Sequence, residues 1–496
     1  MNLMYKSTRD GNKRVTASQA ILQGLSSDGG LFVPETIPVL QKSMEELSAM
    51  DYRETAYEVL KLFLTDYTEE ELRDCINKAY DSKFDTPEIA PLRKAGDAYY
   101  LELFHGATIA FKDMALSILP HLLTKSARKN NVTDQIVILT ATSGDTGKAA
   151  LSGFADVEGT SIIVFYPKDG VSTVQEKQMV TQQGSNTDVI GITGNFDDAQ
   201  TGVKKMFGNV ELAERMKKAG YQFSSANSIN IGRLVPQIVY YVYSYTTLYR
   251  TGQIAKGEKI NFAVPTGNFG NILAAYYAKH IGVPIDKLIC ASNENKVLFD
   301  FFQTGCYDRN RDFVLTQSPS MDILVSSNLE RLIYYISDCD SKKTAELMNA
   351  LSSKGSYEIT ERMKKNLADF LGGWASEKET AEAIEKVYQE SNYVIDTHTA
   401  VAASVYHRYV NDTRDSNKTV IVSTASPFKF AKSVLEALHI PNIPEEDYEQ
   451  AVLLKQVSQT AIPKAVEELR TAPILHKKVC ETDKMQSFVE EILKII

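Results

Sequence analysis

Cysteine is scarce in this 496-residue chain, and the little there is forms no pattern. The five cysteines (Cys75, Cys290, Cys306, Cys339, Cys480) are scattered, odd in number and never spaced as C-x-x-C. That excludes a disulfide framework and a thiolate metal site, and reduced thiols in a cytoplasmic protein are expected. Long apolar runs are missing too. None approaches the roughly 20 residues a membrane-spanning helix needs, so no membrane partner is expected. The opening Met1-Asn2-Leu3-Met4-Tyr5-Lys6 has neither an apolar core nor a small-residue cleavage site, which argues against a signal peptide. Positive charge is in deficit as well, with a net charge of −9, and this speaks against nucleic acid as a partner. An acidic chain can still gather donors locally around a small phosphorylated molecule. Repeats and low-complexity segments are absent.

What is present is ordinary globular composition, 43% hydrophobic and 24% charged, in a chain long enough for two or three packed units. The expected units are 1–92, 93–430 and 431–496. In the first, Thr16-Ala17-Ser18-Gln19 has the form of a capping box opening a helix. Asp28-Gly29-Gly30 is expected to close that helix before a strand at Leu31-Phe32-Val33. A second capping box, Thr68 to Glu71, precedes a helix whose Leu72, Cys75, Ile76 and Ala79 share one face.

The second unit has a different rhythm. Short apolar runs at 135–139, 161–166, 188–192, 260–264, 287–291 and 419–422 alternate with helical patterns, including a long one from about Ser172. This indicates an α/β fold of parallel strands covered on both faces. Residues 326–390 read as a mostly helical insertion rich in Lys and Glu, and 431–496 as a C-terminal helical segment.

In parallel sheets, ligands bind beyond the carboxyl ends of strands. One such loop, Pro265-Thr266-Gly267-Asn268-Phe269-Gly270-Asn271, lies between a strand and the helical Ile272-Leu273-Ala274-Ala275. A bare glycine pair is an ordinary tight turn, but the strand, the helix and the flanking asparagines point to phosphate binding. Another, Ser143-Gly144-Asp145-Thr146-Gly147-Lys148, has Thr142 and Ala149 where a nucleotide P-loop needs Gly and Ser or Thr. It suits a carboxylate or phosphate, with Ser143 or Thr146 as a simple N-cap. The third segment is Phe104 to Ala115, where Lys112 sits among Ala, Phe, Met and Leu. Burial lowers a lysine pKa and makes the amine available for Schiff-base chemistry and proton transfer. His105 is read as a hydrogen-bonded loop histidine, and His398 as structural but near the site.

Taken in order, these segments resemble threonine synthase, a fold type II pyridoxal-phosphate family akin to the tryptophan synthase β subunit. The likeness is to the bacterial and fungal branch with a long N-terminal domain. It runs through Ser27 to Pro34, Ala110-Phe111-Lys112-Asp113, Thr140 to Lys148, Gly194 to Asp198 and Asn227 to Asn230 with Arg233. Gly267 to Asn271, Ser320 to Leu324 and Asp396 to Val401 complete it.

The resemblance implies doubly wound, mostly parallel sheets and pyridoxal 5'-phosphate held covalently on Lys112, next to Phe111. Gly267, Asn268, Phe269, Gly270 and Asn271 would cradle the cofactor phosphate, and Thr424 would meet the pyridine nitrogen. Ser143, Asp145 and Thr146 would meet the substrate carboxylate or the ring hydroxyl. Asn195, Asn227, Ser228, Arg233 and Lys148 or Lys168 would take the substrate phosphate. The implied reaction converts O-phospho-L-homoserine and water to L-threonine and phosphate, in a monomer or homodimer. Where the family usually has histidine before proline, this chain has Ser426. Open alternatives are a serine or threonine dehydratase, an O-phosphohomoserine phospholyase, a nucleotide-dependent enzyme and a non-enzymatic binding protein.

Overall fold

A computed structural model of the chain describes residues 2–142, 144–171 and 173–495. Its N-terminal strands β1 (Tyr5–Ser7), β2 (Arg14–Val15) and β3 (Phe32–Pro34) form a small antiparallel sheet. Both expected capping boxes are present, at Thr16 with Gln19 and at Thr68 with Glu71. The first helix stops at Gly24, earlier than the Asp28-Gly29-Gly30 turn expected to end it.

A hairpin, β4 (Leu92–Ala95) and β5 (Ala98–Glu102), leads into the body. Then come β6 (Gln135–Ala141), β7 (Thr160–Pro167), β8 (Thr187–Thr193) and β9 (Tyr221–Ser224). The remaining strands are β10 (Ile260–Pro265), β11 (Ile285–Ser292), β12 (Cys306–Asp308), β13 (Ser356–Glu358), β14 (Phe370–Trp374), β15 (Thr419–Ser423) and β16 (Lys478–Glu481). Two larger sheets result. One has the order β14-β11-β10-β15-β5-β4, parallel except for β4, and the other is the all-parallel β16-β8-β7-β6-β9. All six strands read from apolar runs appear.

Three expectations change. The 326–390 region is mostly helical, yet it supplies β14, an edge strand of the six-stranded sheet, whose two glycines hide it from a propensity reading. The 431–496 region is not purely helical either, because β16 crosses to the other sheet and pairs with β8. The helix after Ser172 is short, Thr173–Val180.

The core explains these layers. The central strands are almost wholly buried, and the 20-residue helix Ile231–Arg250 is buried along most of its length, with four tyrosines (Tyr240, Tyr241, Tyr243, Tyr245) in the interior. Among the described residues, no helix is long and apolar enough to cross a membrane, and no group of three or more His, Cys, Asp or Glu is disposed to hold a metal. All five cysteines are free thiols.

Polar pins tie the N-terminal unit to the body. The buried Arg331 donates to the Phe32 carbonyl (3.0 Å) and the Ile229 carbonyl (2.6 Å) and also bonds Asn328. His105, the loop histidine, contacts Asp85 (2.6 Å) and Glu102 (3.0 Å), and Glu102 also accepts from the Tyr393 hydroxyl (2.7 Å). Burial alone would lower the His105 pKa, but hydrogen bonds and charge from the two carboxylates carry it up to about 9. A raised folded-state pKa gives stability that is complete below the unfolded value near 6.5 and is lost as pH rises through 9. His105→Gln is therefore expected to destabilise by about 1–2 kcal/mol at pH 6, a figure discounted for the half-exposed Asp85. Its penalty should shrink steadily between pH 6.5 and 9 in thermal melts. A penalty independent of pH would contradict the charged pairing.

Candidate active site

Strand order assembles the site. β5, β15 and β10 are adjacent, so the loops at their carboxyl ends emerge side by side. The β5 loop runs on to Lys112, the β15 loop begins at Thr424 and the β10 loop holds Gly267 to Asn271. The first two are stitched together: the Phe111 amide donates to the Thr424 carbonyl (2.8 Å), the Ser426 amide to the Ile109 carbonyl (3.1 Å), and Ala110 bridges Ala425. Ser426 also caps the short helical turn at Pro427–Phe430 by accepting from the Phe428 amide, a local job independent of the histidine usual in the family.

Lys112 opens a short helix and its side chain is only 12% exposed. Its Nζ lies 3.4 Å from Ser320 Oγ, 3.5 Å from Asp145 Oδ2 and 5.1 Å from the Phe111 ring centre. Burial lowers the Lys112 pKa; the Asp145 charge opposes this, while the nearby Lys429 and Arg233 cations reinforce it. The result is an amine biased towards its nucleophilic form.

Asp145 comes from the other sheet, just after β6. Its Oδ2 accepts from Ser320 Oγ (2.8 Å), and its Oδ1 meets Lys429 Nζ at 2.9 Å and Gln175 Nε2 at 3.1 Å. Burial would raise its pKa, but Lys429 and Lys112 hold it well below the usual carboxylate range. An ionised side chain engaged in this way sits beside the reactive amine, within salt-bridge distance of both Lys112 and Lys429. The loop is capped by Thr142, whose hydroxyl accepts from the Gly144 and Gly147 amides (3.0 and 2.9 Å), and Thr146 makes no side-chain cap. Ser143 lies outside the described residues.

The glycine loop is a preformed anion cradle. A Cβ on Gly267 would lie 2.8 Å from the Ser320 carbonyl oxygen, so only glycine fits there. Ser326 Oγ donates to the Gly267 carbonyl (2.7 Å) and the Asn328 amide to the Asn268 carbonyl (3.0 Å). Among the described residues, the amides of Gly267, Asn268 and Phe269 donate to nothing, which leaves a nest of N–H groups. Phe269 has φ 67°, and its ring packs into the core beside Phe302 and Phe370, so only its backbone faces the cradle. Beyond Gly270, Asn271 Oδ1 accepts from the Tyr240 and Tyr241 hydroxyls (2.6 Å each), while its buried Nδ2 has no partner.

Arg233 is 3% exposed. Among the described residues its guanidinium gives one bond, from Nη1 to the Ala226 carbonyl (2.8 Å), and its Nε has no partner. Burial pulls its pKa down to about 10, and no described carboxylate counters this. Ser228 lies 3.3 Å from Ser327, which in turn donates to the Asn268 side-chain oxygen, so it is linked to the glycine loop through one intervening serine. Lys148 donates to Gln182 (2.6 Å), and burial brings its pKa to about 8 despite the pull of Asp113. Asn195, Asn227 and Lys168 are exposed, and the Asn195 side chain is occupied as a helix cap. No described contact ties these three to the lysine cluster.

Two members of the cluster were given no site role by the sequence reading, although Ser320 opens one of the segments that carry the resemblance. Lys429 sits between Phe428 and Phe430, the same apolar setting that singled out Lys112. Ser320 is held in place by donating its amide to His398 Nε2 (3.1 Å), while His398 Nδ1 contacts Asp396 (2.8 Å). His398 is thus structural, one step from the site.

An unpaired buried amide, three free loop amides and a buried amine fit a phosphate-bearing aldehyde cofactor. A family model described as pyridoxal-phosphate dependent enzyme matches residues 87–425, and with the architecture above this defines a fold type II pyridoxal-phosphate enzyme. Models for the threonine synthase N terminus and C-terminal region match residues 4–80 and 399–484. Threonine synthase of Schizosaccharomyces pombe is 38% identical over 88% of this chain and 89% of its own. Threonine synthase-like 1 of Pongo abelii is 39% identical over 98% of this chain and 67% of its own. The crystal structure of threonine synthase from yeast superimposes with a TM-score of 0.89 at 33% identity, covering 100% of this chain and 99% of that one. The chain belongs to the threonine synthase family.

Because the Gly267 contact leaves no room, Gly267→Ala is expected to weaken pyridoxal phosphate binding by about tenfold or more, or 1.4 kcal/mol. Absorbance titration of the purified chain measures this, with circular dichroism unchanged. Unaltered affinity would remove the glycine loop from the cradle.

Proposed function

We propose that this chain converts O-phospho-L-homoserine and water to L-threonine and phosphate, with Lys112 as the cofactor-bearing and proton-transferring amine. The observation that carries this reading is the buried charge balance. Among the described residues, the carboxylates acting on Lys112, Lys148, Lys429 and Arg233 are Asp113, Asp145 and, for Lys148, Glu468 as well, and Arg233 has no carboxylate partner. Cations held out of water need anions. Two phosphate groups, one on the cofactor and one on the substrate, supply them.

Pyridoxal phosphate, when bound, supplies the electron sink that makes the substrate α-carbon acidic. The amides at Gly267, Asn268 and Phe269 and the Asn271 side chain would hold its phosphate, and the Thr424 hydroxyl its ring nitrogen. Arg233, Ser228 and Lys148 would hold the substrate phosphate. Asn195, Asn227 and Lys168 would enter only if the chain moved around a bound substrate. Lys112 Nζ, in its free neutral form, would accept the α-proton; loss of a β-proton would then accompany departure of phosphate from the γ-carbon, and the amine would return protons to the γ-carbon and finally to the α-carbon. Water adds at the β-carbon. Ser320 keeps the amine within reach, and the buried setting limits stray protonation that would divert the product to a 2-oxo acid. A cytoplasmic monomer or homodimer is part of the same reading, supported by the free thiols.

Lys112→Ala is expected to cut turnover by at least about 10⁴-fold. Borohydride reduction and peptide mapping should place the pyridoxyl label on Lys112, and a label elsewhere would refute its role. Arg233→Met is expected to raise KM for the phosphorylated substrate about 10–100-fold, the cost of losing a charge-assisted contact. Product analysis that found 2-oxobutyrate in place of threonine would point to the phospholyase alternative.

A further inference from the structure

The Asp145 carboxylate does not favour its two lysines equally. Lys429 Nζ is 2.9 Å from Oδ1, whereas Lys112 Nζ is 3.5 Å from Oδ2. Lys429 is also the more enclosed, with a side chain 1% exposed against 12%. It is fixed from a second side by donating to the Thr108 carbonyl (3.1 Å). Thr108 in turn is fixed by Asp113, which accepts from its amide (2.8 Å) and its hydroxyl (2.6 Å). Lys112 has looser company, a long contact to Ser320 and the longer contact to Asp145. A carboxylate this deeply buried needs a standing counter-ion. Lys112 cannot be that ion if its amine must also be neutral during the reaction.

We propose that Lys429 is a positioning residue for the reaction: it is the permanent partner of Asp145, and by engaging that carboxylate it leaves the Lys112 amine free to shed and take up protons. Lys429 acts in two ways. It takes up the Asp145 charge that would otherwise hold Lys112 as an ammonium, and its own charge repels a proton on Lys112. The other charged groups acting on the pair are Asp113, Lys148 and Arg233, and Asp396 reaches it only through His398 and the Ser320 amide. The signal was present in the sequence as a lysine flanked by Phe428 and Phe430 after Ser426-Pro427. This inference rests on the reading that Lys112 is the working amine.

Competitive acetylation of the full-length, cofactor-stripped chain, read by mass spectrometry on the Lys112 peptide across pH 6–11, measures the protonation midpoint of that amine directly. In Lys429→Met the midpoint is expected to rise by about one pH unit or more, a roughly tenfold loss of reactive amine near neutrality. Adding Asp145→Asn to that variant should bring the midpoint back down, and Lys429→Arg should leave it near that of the parent chain. An unchanged midpoint in Lys429→Met, or a rise that Asp145→Asn does not reverse, overturns the proposal. If Lys429→Met alone fails to fold by circular dichroism, the comparison moves to Asp145→Asn with and without Lys429→Met. There the uncompensated Lys429 charge should depress the Lys112 midpoint only while it is present, and equal midpoints overturn the proposal. Borohydride mapping that put the cofactor on another lysine would fail the earlier reading and leave this measurement intact, so the two failures are distinguishable.

Discussion

A carboxylate buried between two lysines is the contact on which the rest of this site depends. Asp145 alone would be expensive to bury, and so would Lys429 or Lys112 alone. Together they are tolerable, and the arrangement holds a surplus of positive charge with Lys148 and Arg233 beside it. That surplus makes the interior selective. A neutral ligand would leave Arg233 uncompensated, whereas a phosphate matches both the charge and the free donors on Gly267, Asn268, Phe269 and Asn271.

Topology explains why such distant segments meet. Residues 112, 267–271 and 424 are far apart in the chain, but β5, β10 and β15 are packed in the order β10-β15-β5, all parallel, so their carboxyl ends open on one edge of the sheet. Ser320 reaches the same edge by a different route. Its loop is fastened by Asp322, which accepts from Asn293, Asn295 and Thr316, and by Thr397, whose hydroxyl donates to the Gln317 carbonyl. The site is therefore rigid on the side of the six-stranded sheet.

Much of this was legible in the sequence, and the rest was hidden for physical reasons. Buried parallel strands such as Ile136 to Leu139 and Ile260 to Val264 announce themselves because both faces are apolar. Phe370–Trp374 and Lys478–Glu481 do not: one carries two glycines, the other is short and mostly exposed, and each lies at a sheet edge. Lys112 and the glycine loop stood out by local chemistry. Lys429 had equally good local chemistry, but its meaning depends on Asp145 lying 2.9 Å away, and nothing in a linear reading joins residues 145 and 429. Asn195 shows the reverse: its motif drew attention as a ligand site, and the local role that the structure displays is a capping box with Asp198.

The spacing between Lys112 and Asp145 is set by backbone contact as well as by charge. Lys112 begins the helix Asp113–Leu116, and Asp145 begins the helix Asp145–Phe154 from the other sheet. These helices touch where Gly153 lies against the Leu116 carbonyl, so closely that any Cβ at 153 would overlap it. A larger residue there would push the helices apart and lengthen the 3.5 Å separation between Lys112 and Asp145, with no change to any charged group. Electrostatic tuning of the amine is thus bound to the docking of the two sheets. The same glycine explains how a carboxylate from one sheet can serve a lysine carried by the other.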